Sequence, residues 1–436
     1  LSQVEPNGID SPAETAADTS RETRDEPTLD PGLLAGALLD WPGWCHRKVE
    51  SLQLLEGERA RRRVSVDCTP PHQLVVNGRV LVPLTWIAKG PMRSFDMIDG
   101  AGNAVPVLGA AENGELCQDL IALILRVYRG PDAPADAESD IDAIVFGQPE
   151  AAEDARARLF KDVELDSLAK YLVASVCSNF LLIAVLDESA AGTRQVLKYS
   201  YHWELGPTSA RRLREPAAWA KSVAATALAG LGLTDAAVDV AIGSPDSAAS
   251  FHLEVPSPPG VLSTSLKLKG GDGGSPRDER LTAVAHAHAR FDGSIEPSAR
   301  VMFMLSPNGT HRTVTLAAWS TAALFWSALV LPGALDALRR AADGTASLLL
   351  FGPALLVATL ARTGENVITS RLYAPLRALA LSLAGLLFVA GASLVGQLND
   401  PWLVSLWRAS AVLSVVAAIV LSVARGRMSQ RMRGIR

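Results

Sequence analysis

Cysteine is scarce in this chain, and its spacing carries no chemistry. Cys45, Cys68, Cys117 and Cys177 are the only four in 436 residues, with no C-x-x-C pair and no zinc-type spacing. This excludes a cysteine-based metal module and leaves buried free thiols as the expectation. Phosphate-cradling glycine motifs are missing too. Gly100-Ala101-Gly102 lacks the third glycine and following helix of a dinucleotide fingerprint, and Gly270-Gly271-Asp272-Gly273-Gly274 lacks the Lys and Ser/Thr of a phosphate loop. No G-x-S-x-G nucleophile elbow and no repeat of solenoid length occurs. The sequence therefore offers no catalytic motif, and nucleic acid is not an expected partner.

Residues 1–31 lack the basic start and apolar run of a secretory signal. They carry Glu5, Asp10, Glu14, Asp18, Glu22, Asp25, Glu26 and Asp30 against only Arg21 and Arg24. Such a segment has little to bury and reads as a disordered acidic tail. The other end is basic, so the formal net charge of -5 hides an asymmetry between the two ends.

Long hydrophobic runs begin only near residue 314. A bilayer-spanning helix needs about 20 mostly apolar residues. Four stretches approach that length, at about 314–331, 347–361, 378–395 and 403–423, within a transmembrane region of 309–424. Breakers or charges separate them, at Pro332-Gly333, Asp343-Gly344, Arg362-Thr363-Gly364-Glu365 and Asn399-Asp400-Pro401. The second stretch is the shortest and contains Gly352-Pro353, so a re-entrant segment competes with a full crossing there. Lys and Arg collect on the cytoplasmic side of membranes. Arg425, Arg427, Arg431, Arg433 and Arg436 place the 425–436 tail inside, as do Arg362, Arg371 and Arg377 for the loop after the second stretch. Arg339 and Arg340 oppose this assignment. With four spans, the soluble part is also cytoplasmic, and the chain is a multi-pass protein of a bacterial inner membrane. Arg408, beside Trp402 and Trp407, reads as an interfacial anchor.

The soluble part reads as mixed α and β, with two subdomains expected: an α+β domain at 32–232 and a β-rich, sandwich-like, membrane-proximal unit at 233–308. Alternation predicts strands at 47–55, 59–68, 79–89, 180–187, 195–205, 236–242, 248–256, 261–268, 281–291 and 297–306. Period-3.6 patterning predicts helices at 112–128, 150–161, 165–179 and 215–230, and 130–140 reads as a linker.

Two groups of residues could carry a site. His286 and His288 are two apart, and His252 and Glu254 repeat that spacing, so each pair shares one face of a strand. Imidazole and carboxylate together suit zinc or another transition metal, although solvent-facing alternation explains the same spacing. His202 and Glu204 follow the same rule. Arg59, Arg61 and Arg63 line one face of a second strand, with Arg62 between them and Arg47 and Lys48 upstream. A row of guanidiniums suits an anionic ligand such as phosphate, while charge on an edge strand can also simply discourage pairing.

Two stretches resemble uncharacterised integral membrane proteins of GC-rich Gram-positive bacteria. One is Arg61-Arg62-Arg63-Val64-Ser65-Val66-Asp67, followed by Leu81-Val82-Pro83-Leu84 and Phe95-Asp96-Met97-Ile98-Asp99. The other is Ala361-Arg362-Thr363-Gly364-Glu365-Asn366 with Ser370-Arg371-Leu372. The resemblance implies the layout of a cytoplasmic domain followed by spans, and transfers no functional residue. The abundance of Arg over Lys, and of Ala, fits a GC-rich genome.

These readings converge on a membrane-anchored binding or sensing protein, with the lipid bilayer and a ligand, protein partner or second copy as its partners. An oligomeric, channel-like membrane effector is the alternative, with Gly385, Gly391 and Ala392 allowing close helix contact. A metal-dependent enzyme built on the histidine strands is the third reading.

Overall fold

The computed structural model describes residues 29–55, 59–90, 92–130, 136–204, 216–269, 277–278, 283–290, 298–341, 344, 366–396 and 398–433. The expected acidic tail, except for its last residues, lies outside the described residues, and so does the whole apolar stretch at 347–361.

The first folded element was not foreseen from sequence. Helix α1 (Pro31–Leu39) starts where the Asp30 carboxylate accepts from Gly32 N and Leu33 N, with proline in the first turn. A short α2 (Trp41–Trp44) follows and leads into β1 (Cys45–Leu54) and β2 (Arg59–Cys68). These pair antiparallel along their length. Strict alternation in β2 turns Ala60, Arg62, Val64, Val66 and Cys68 inward and Arg59, Arg61, Arg63, Ser65 and Asp67 outward. Next come β3 (Val75–Val76), β4 (Arg79–Ala88) and β5 (Arg93–Ile98).

Four helices lie in the middle of the soluble part: α3 (Ala110–Arg129), α4 (Ala137–Phe146), α5 (Pro149–Leu159) and α6 (Ser167–Ser178). The apolar face foreseen on α3 is the one it buries, through Leu116, Leu120, Ile121 and Ile124. The first turn of α4 falls within the segment expected as a linker; Ile144 and Val145 are its buried anchors. The chain continues through β6 (Asn179–Asp187), β7 (Gln195–Glu204) and α7 (Pro216–Gly230). It then forms β8 (Ala236–Ala241), β9 (Phe251–Pro256), β10 (Val261–Lys269), β11 (Arg277–Asp278), β12 (Val284–Ala289) and β13 (Ser298–Leu305).

Among the described residues the strands form three sheets, ordered β12-β9-β1-β2-β7-β5, β11-β10-β13-β8 and β3-β4-β6. The strands of 233–308 are thus divided between two sheets, and the sandwich-like unit expected there does not stand as a separate pair. β9 lies parallel to β1, with Lys48 opposite Phe251, and brings β12 with it into the six-stranded sheet. The inner sides of β9 and β12 share one apolar core with the four-stranded sheet, through Phe251, Leu253, Val301 and Phe303. A second core gathers α1 to α6 around Trp41, Val64, Val82, Leu120 and Val173. All four cysteines are buried and free, as expected.

The second of the four expected stretches lies outside the described residues; among the described residues, three helices are long and apolar enough to cross a membrane. They are α8 (Thr310–Val330), α10 (Val367–Val395) and α11 (Asp400–Arg433), with a short α9 (Ala334–Arg340) after α8. Leu316, Trp326, Leu381, Phe388, Leu413, Val416 and Ile419 are exposed on their outer surface. The buried sides are built from small residues, with Ala318 and Ala322 on α8 and Ser410, Ala411, Ser414 and Ala418 on α11, which lets helix backbones approach.

The helix ends sort to two sides. Beside the soluble part, His311 Nε2 donates to the Leu231 carbonyl at 3.3 Å, Tyr373 OH to the Gly260 carbonyl at 3.2 Å, and Arg431 Nη1 to Asp235 at 2.7 Å. Gly232 has φ +79° at this joint, and a Cβ there would stand 2.7 Å from Met428 Cε. At the distal end, Arg339 of α9 pairs with Asp400 and donates to the Leu398 carbonyl. There Phe325, Leu394, Leu403 and Trp407 form a separate cluster, with Trp407 edge-on to Phe325 at 5.1 Å. Hence α8 runs away from the soluble part, α10 starts beside it and runs away, and α11 returns.

Candidate functional site

The inner face of the six-stranded sheet is filled by the cores, and its outer face carries the polar residues of every strand. Register decides which of them meet. Arg61 lies opposite Gln53 on one side and His202 on the other, and Arg63 lies opposite Ser51 and Ser200. Ser51 in turn lies opposite Glu254, and Glu254 opposite His286. The arginine row and the histidine pairs, read separately in sequence, are therefore parts of one surface. Glu254 and Arg63 stand two strands apart, about 10 Å at ordinary strand spacing.

The three histidines do come together. His252 Nδ1 and His286 Nε2 are 3.2 Å apart. Ser250 Oγ lies 3.1 Å from His252 Nε2 and 3.0 Å from His288 Nε2. Both nitrogens of the His252 ring are thus engaged. Burial first, then Arg47 and the two neighbouring histidines, pushes His252 down to about 4, so it is uncharged at neutral pH. Among the described residues, no group of three or more His, Cys, Asp or Glu side chains is arranged to hold a metal. The cluster is a hydrogen-bonded imidazole network with Ser250 as its hub, a residue that sequence spacing did not single out. Ser250 is in phase with His252 within the strand expected at 248–256, but its hydroxyl is not one of the imidazole and carboxylate groups that the metal-ligand spacing picks out.

Of the arginine row, Arg59 and Arg63 are exposed, and Arg61 is half-buried with its Nη2 donating to Ser200 Oγ at 2.9 Å. Exposed Lys198 and Arg93 belong to the neighbouring strands, Lys198 opposite Ser65 and Arg93 opposite His202. Asp67 belongs to the same face, but Arg194 neutralises it at 2.5 Å and holds its carboxyl below the usual range. Exposed Asp96, opposite Ser200, also belongs to this face, so its centre carries Arg61, Arg63, Lys198 and Arg93 against one carboxylate that Arg194 does not cover.

The other charges singled out with the arginine row, Lys48 and Arg62, point the opposite way. A register irregularity between Cys45 and Arg47 sets the phase of β1, and Lys48 and Glu50 face inward beside Arg62. Arg62 Nε stands 3.0 Å from Glu50 Oε1, with the Glu50 side chain 1% exposed. The Arg62 guanidinium also lies 5.0 Å from the Trp203 ring centre and 3.3 Å from Tyr201 OH. Lys48 Nζ donates within a cage of four oxygens: Thr85 Oγ1 at 3.0 Å, Ser247 Oγ at 3.0 Å, and the Ser244 and Gly243 carbonyls at 3.1 and 3.2 Å. This cage ties the segment between β8 and β9 to the sheet. Ser244 adopts a left-handed conformation, φ 34°, that aims its carbonyl at the ammonium. Burial pushes Lys48 down to about 8, against the opposing pull of Glu50. The sequence held a clue for Arg62, a charge in phase with the apolar Val64 and Val66. It held none for the cage, three of whose four oxygens, on Gly243, Ser244 and Ser247, lie about two hundred residues away.

Comparison with known protein families finds no matching family model, and comparison with curated proteins finds no matching sequence.

Proposed function

We propose that the chain is a membrane-anchored cytoplasmic binding or sensing protein whose recognition surface is the open face of the six-stranded sheet, and that this face takes an anionic ligand. The observation that carries this reading is the convergence of Arg61, Arg63, Lys198 and Arg93 on one solvent-side face with the imidazole network beside them. Guanidiniums offer planar, always-charged donors to phosphate or carboxylate oxygens, and a sheet holds them at fixed spacing. With full-length protein in zwitterionic nanodiscs, calorimetric titration of tripolyphosphate should show binding that weakens with salt. Arg61→Gln plus Arg63→Gln should reduce the affinity by about tenfold or more, since each charged hydrogen bond is worth about 1.5–3 kcal/mol. Unchanged affinity in the double variant, or no binding by the parent protein, rejects the face as an anion site.

The anchor is read as four crossings, with the soluble part and the C-terminus on the cytoplasmic side. The ends of the described helices support this. α9 stands at the distal end and Asn366 beside the soluble part, and the sequence between them carries the apolar stretch at 347–361. Arg371, Arg377, Arg425, Arg427, Arg431 and Arg433 belong to the helix ends beside the soluble part. The distal Arg339, which counted against this orientation, is paired with Asp400. Because all four native cysteines are buried, Ser20→Cys can be probed with an impermeant maleimide without removing them. Labelling should occur only after cell lysis; labelling of intact cells would place the soluble part outside.

A further inference from the structure

Where the soluble part meets α11, a cavity of about 310 Å³ opens between the α7–β8 turn, β13 and the end of α11. That size falls at the lower end of small-ligand pockets, about 300–1,000 Å³. Its walls divide by chemistry. Leu233, Met304 and Met428 are apolar, while Arg427, Gln430 and Arg431 are polar or cationic. Arg427, Gln430 and Arg431 are three and four residues apart, so they share one helix face.

The position along α11 matters as much as the composition. Val423 is its last exposed large apolar residue. At 1.5 Å per residue, Arg427 stands about 6 Å further along the axis and Arg431 about 12 Å. The headgroup layer extends about 5–8 Å beyond the hydrocarbon on each side. A membrane that covers the apolar surface of α11 therefore puts Arg427 at headgroup depth and Arg431 just above it. Arg431 is partly committed, since Nη1 donates to Asp235 and Asp235 also accepts from Thr264 Oγ1 at 3.0 Å. A guanidinium has five N–H donors, so this pair leaves others free to turn to the cavity. Arg427 is exposed, and the described residues record no ion pair for it.

We infer that this cavity is a binding site for the phosphate headgroup of an anionic phospholipid, with Arg427 and Arg431 taking the phosphate and Leu233, with the largely buried Met304 and Met428, forming the apolar wall beside the glycerol. The site rests on the reading of the helices as a membrane anchor. It would make the joint between soluble part and helices sensitive to the lipid around it, because Gly232, Met428 and Arg431 belong to both.

Full-length protein in nanodiscs of phosphatidylcholine mixed with phosphatidylglycerol tests the assignment, read by native mass spectrometry of lipid retained after release. The parent protein should retain phosphatidylglycerol over phosphatidylcholine by about tenfold, the scale of one charge-assisted contact. Arg427→Gln should abolish that preference. Arg433→Gln, which removes the same charge outside the cavity, should keep it. Equal retention by the parent and Arg427→Gln overturns the inference, and so does equal loss in the two variants, which would signify surface charge alone. Competition by soluble glycerol phosphate as effective as by lipid also overturns it, because the occupant would then be a free phosphate ester. Alkaline extraction of cell membranes separates this from failure of the anchor: protein released by alkali refutes the membrane reading, whereas retained protein without lipid preference refutes only the site.

Discussion

Replacing Glu50 with alanine should lower the stability of the soluble part by about 3–5 kcal/mol, the cost of leaving a buried charge without its partner. The side chain is almost wholly enclosed between two cations. Arg62 Nε is 3.0 Å away, and the attraction of Glu50 opposes the burial that depresses Lys48. Its Oε2 also accepts from Gly243 N at 3.4 Å. Removing the carboxylate leaves Lys48 and Arg62 as neighbouring buried cations with no full counter-charge. Glu50→Gln, which keeps the volume, should lose most of the same amount if charge is the cause. The shift in urea midpoint, followed by tryptophan fluorescence, measures both. Replacing Lys48, Glu50 and Arg62 together by apolar residues of similar volume should cost far less than Glu50→Ala, because desolvation of the ions is then removed with them. A loss below about 1 kcal/mol for Glu50→Ala would mean that water reaches the pair.

Lys48→Met should change the way stability depends on pH. In the folded protein Lys48 loses its proton near pH 8, and in the unfolded chain near the ordinary lysine value of about 10.4. Between those values the unfolded state holds the extra proton. Stability from this group therefore rises with pH, the penalty being complete below about 8 and relieved towards 10.4. The buried thiols act in the opposite sense. Burial pushes Cys45 and Cys117 up to about 12 and Cys177 to about 11, so they keep protons that the unfolded chain releases, and stability falls as pH rises through the ordinary thiol range. The raw curve mixes the two, and the difference between parent and variant isolates the lysine. From about pH 7 to pH 10 the parent should gain about 2–3 kcal/mol relative to Lys48→Met. A pH-independent difference would mean that the cage holds a fully stabilised ammonium.

The sequence by itself determined the local elements and their inside and outside. In β2 the alternation of Val64 and Val66 with Ser65 and Asp67 settles which side is buried, because successive side chains in a strand point to opposite faces. In α3 the spacing of Leu116, Leu120 and Ile124 settles the buried face in the same way, and three of the expected spans lie within helices long and apolar enough to cross a membrane. Even the pairing of His286 with His288, and of His252 with Glu254, was legible as shared faces.

Only the tertiary structure decided which faces became neighbours. β1 and β9 pair in parallel across about two hundred residues, and that single pairing places the histidines on the same surface as Arg61 and Arg63. Period-2 patterning carries no information about a partner, because any strand of matching polarity satisfies the same backbone hydrogen bonds. The irregularity at the start of β1 likewise decided that Lys48 and Glu50 are core residues, since one extra residue in a ladder exchanges the two faces of everything that follows. The cavity beside Arg427 has the same origin: a turn, a strand and a helix end, distant in sequence, enclose a volume that none of them contains alone.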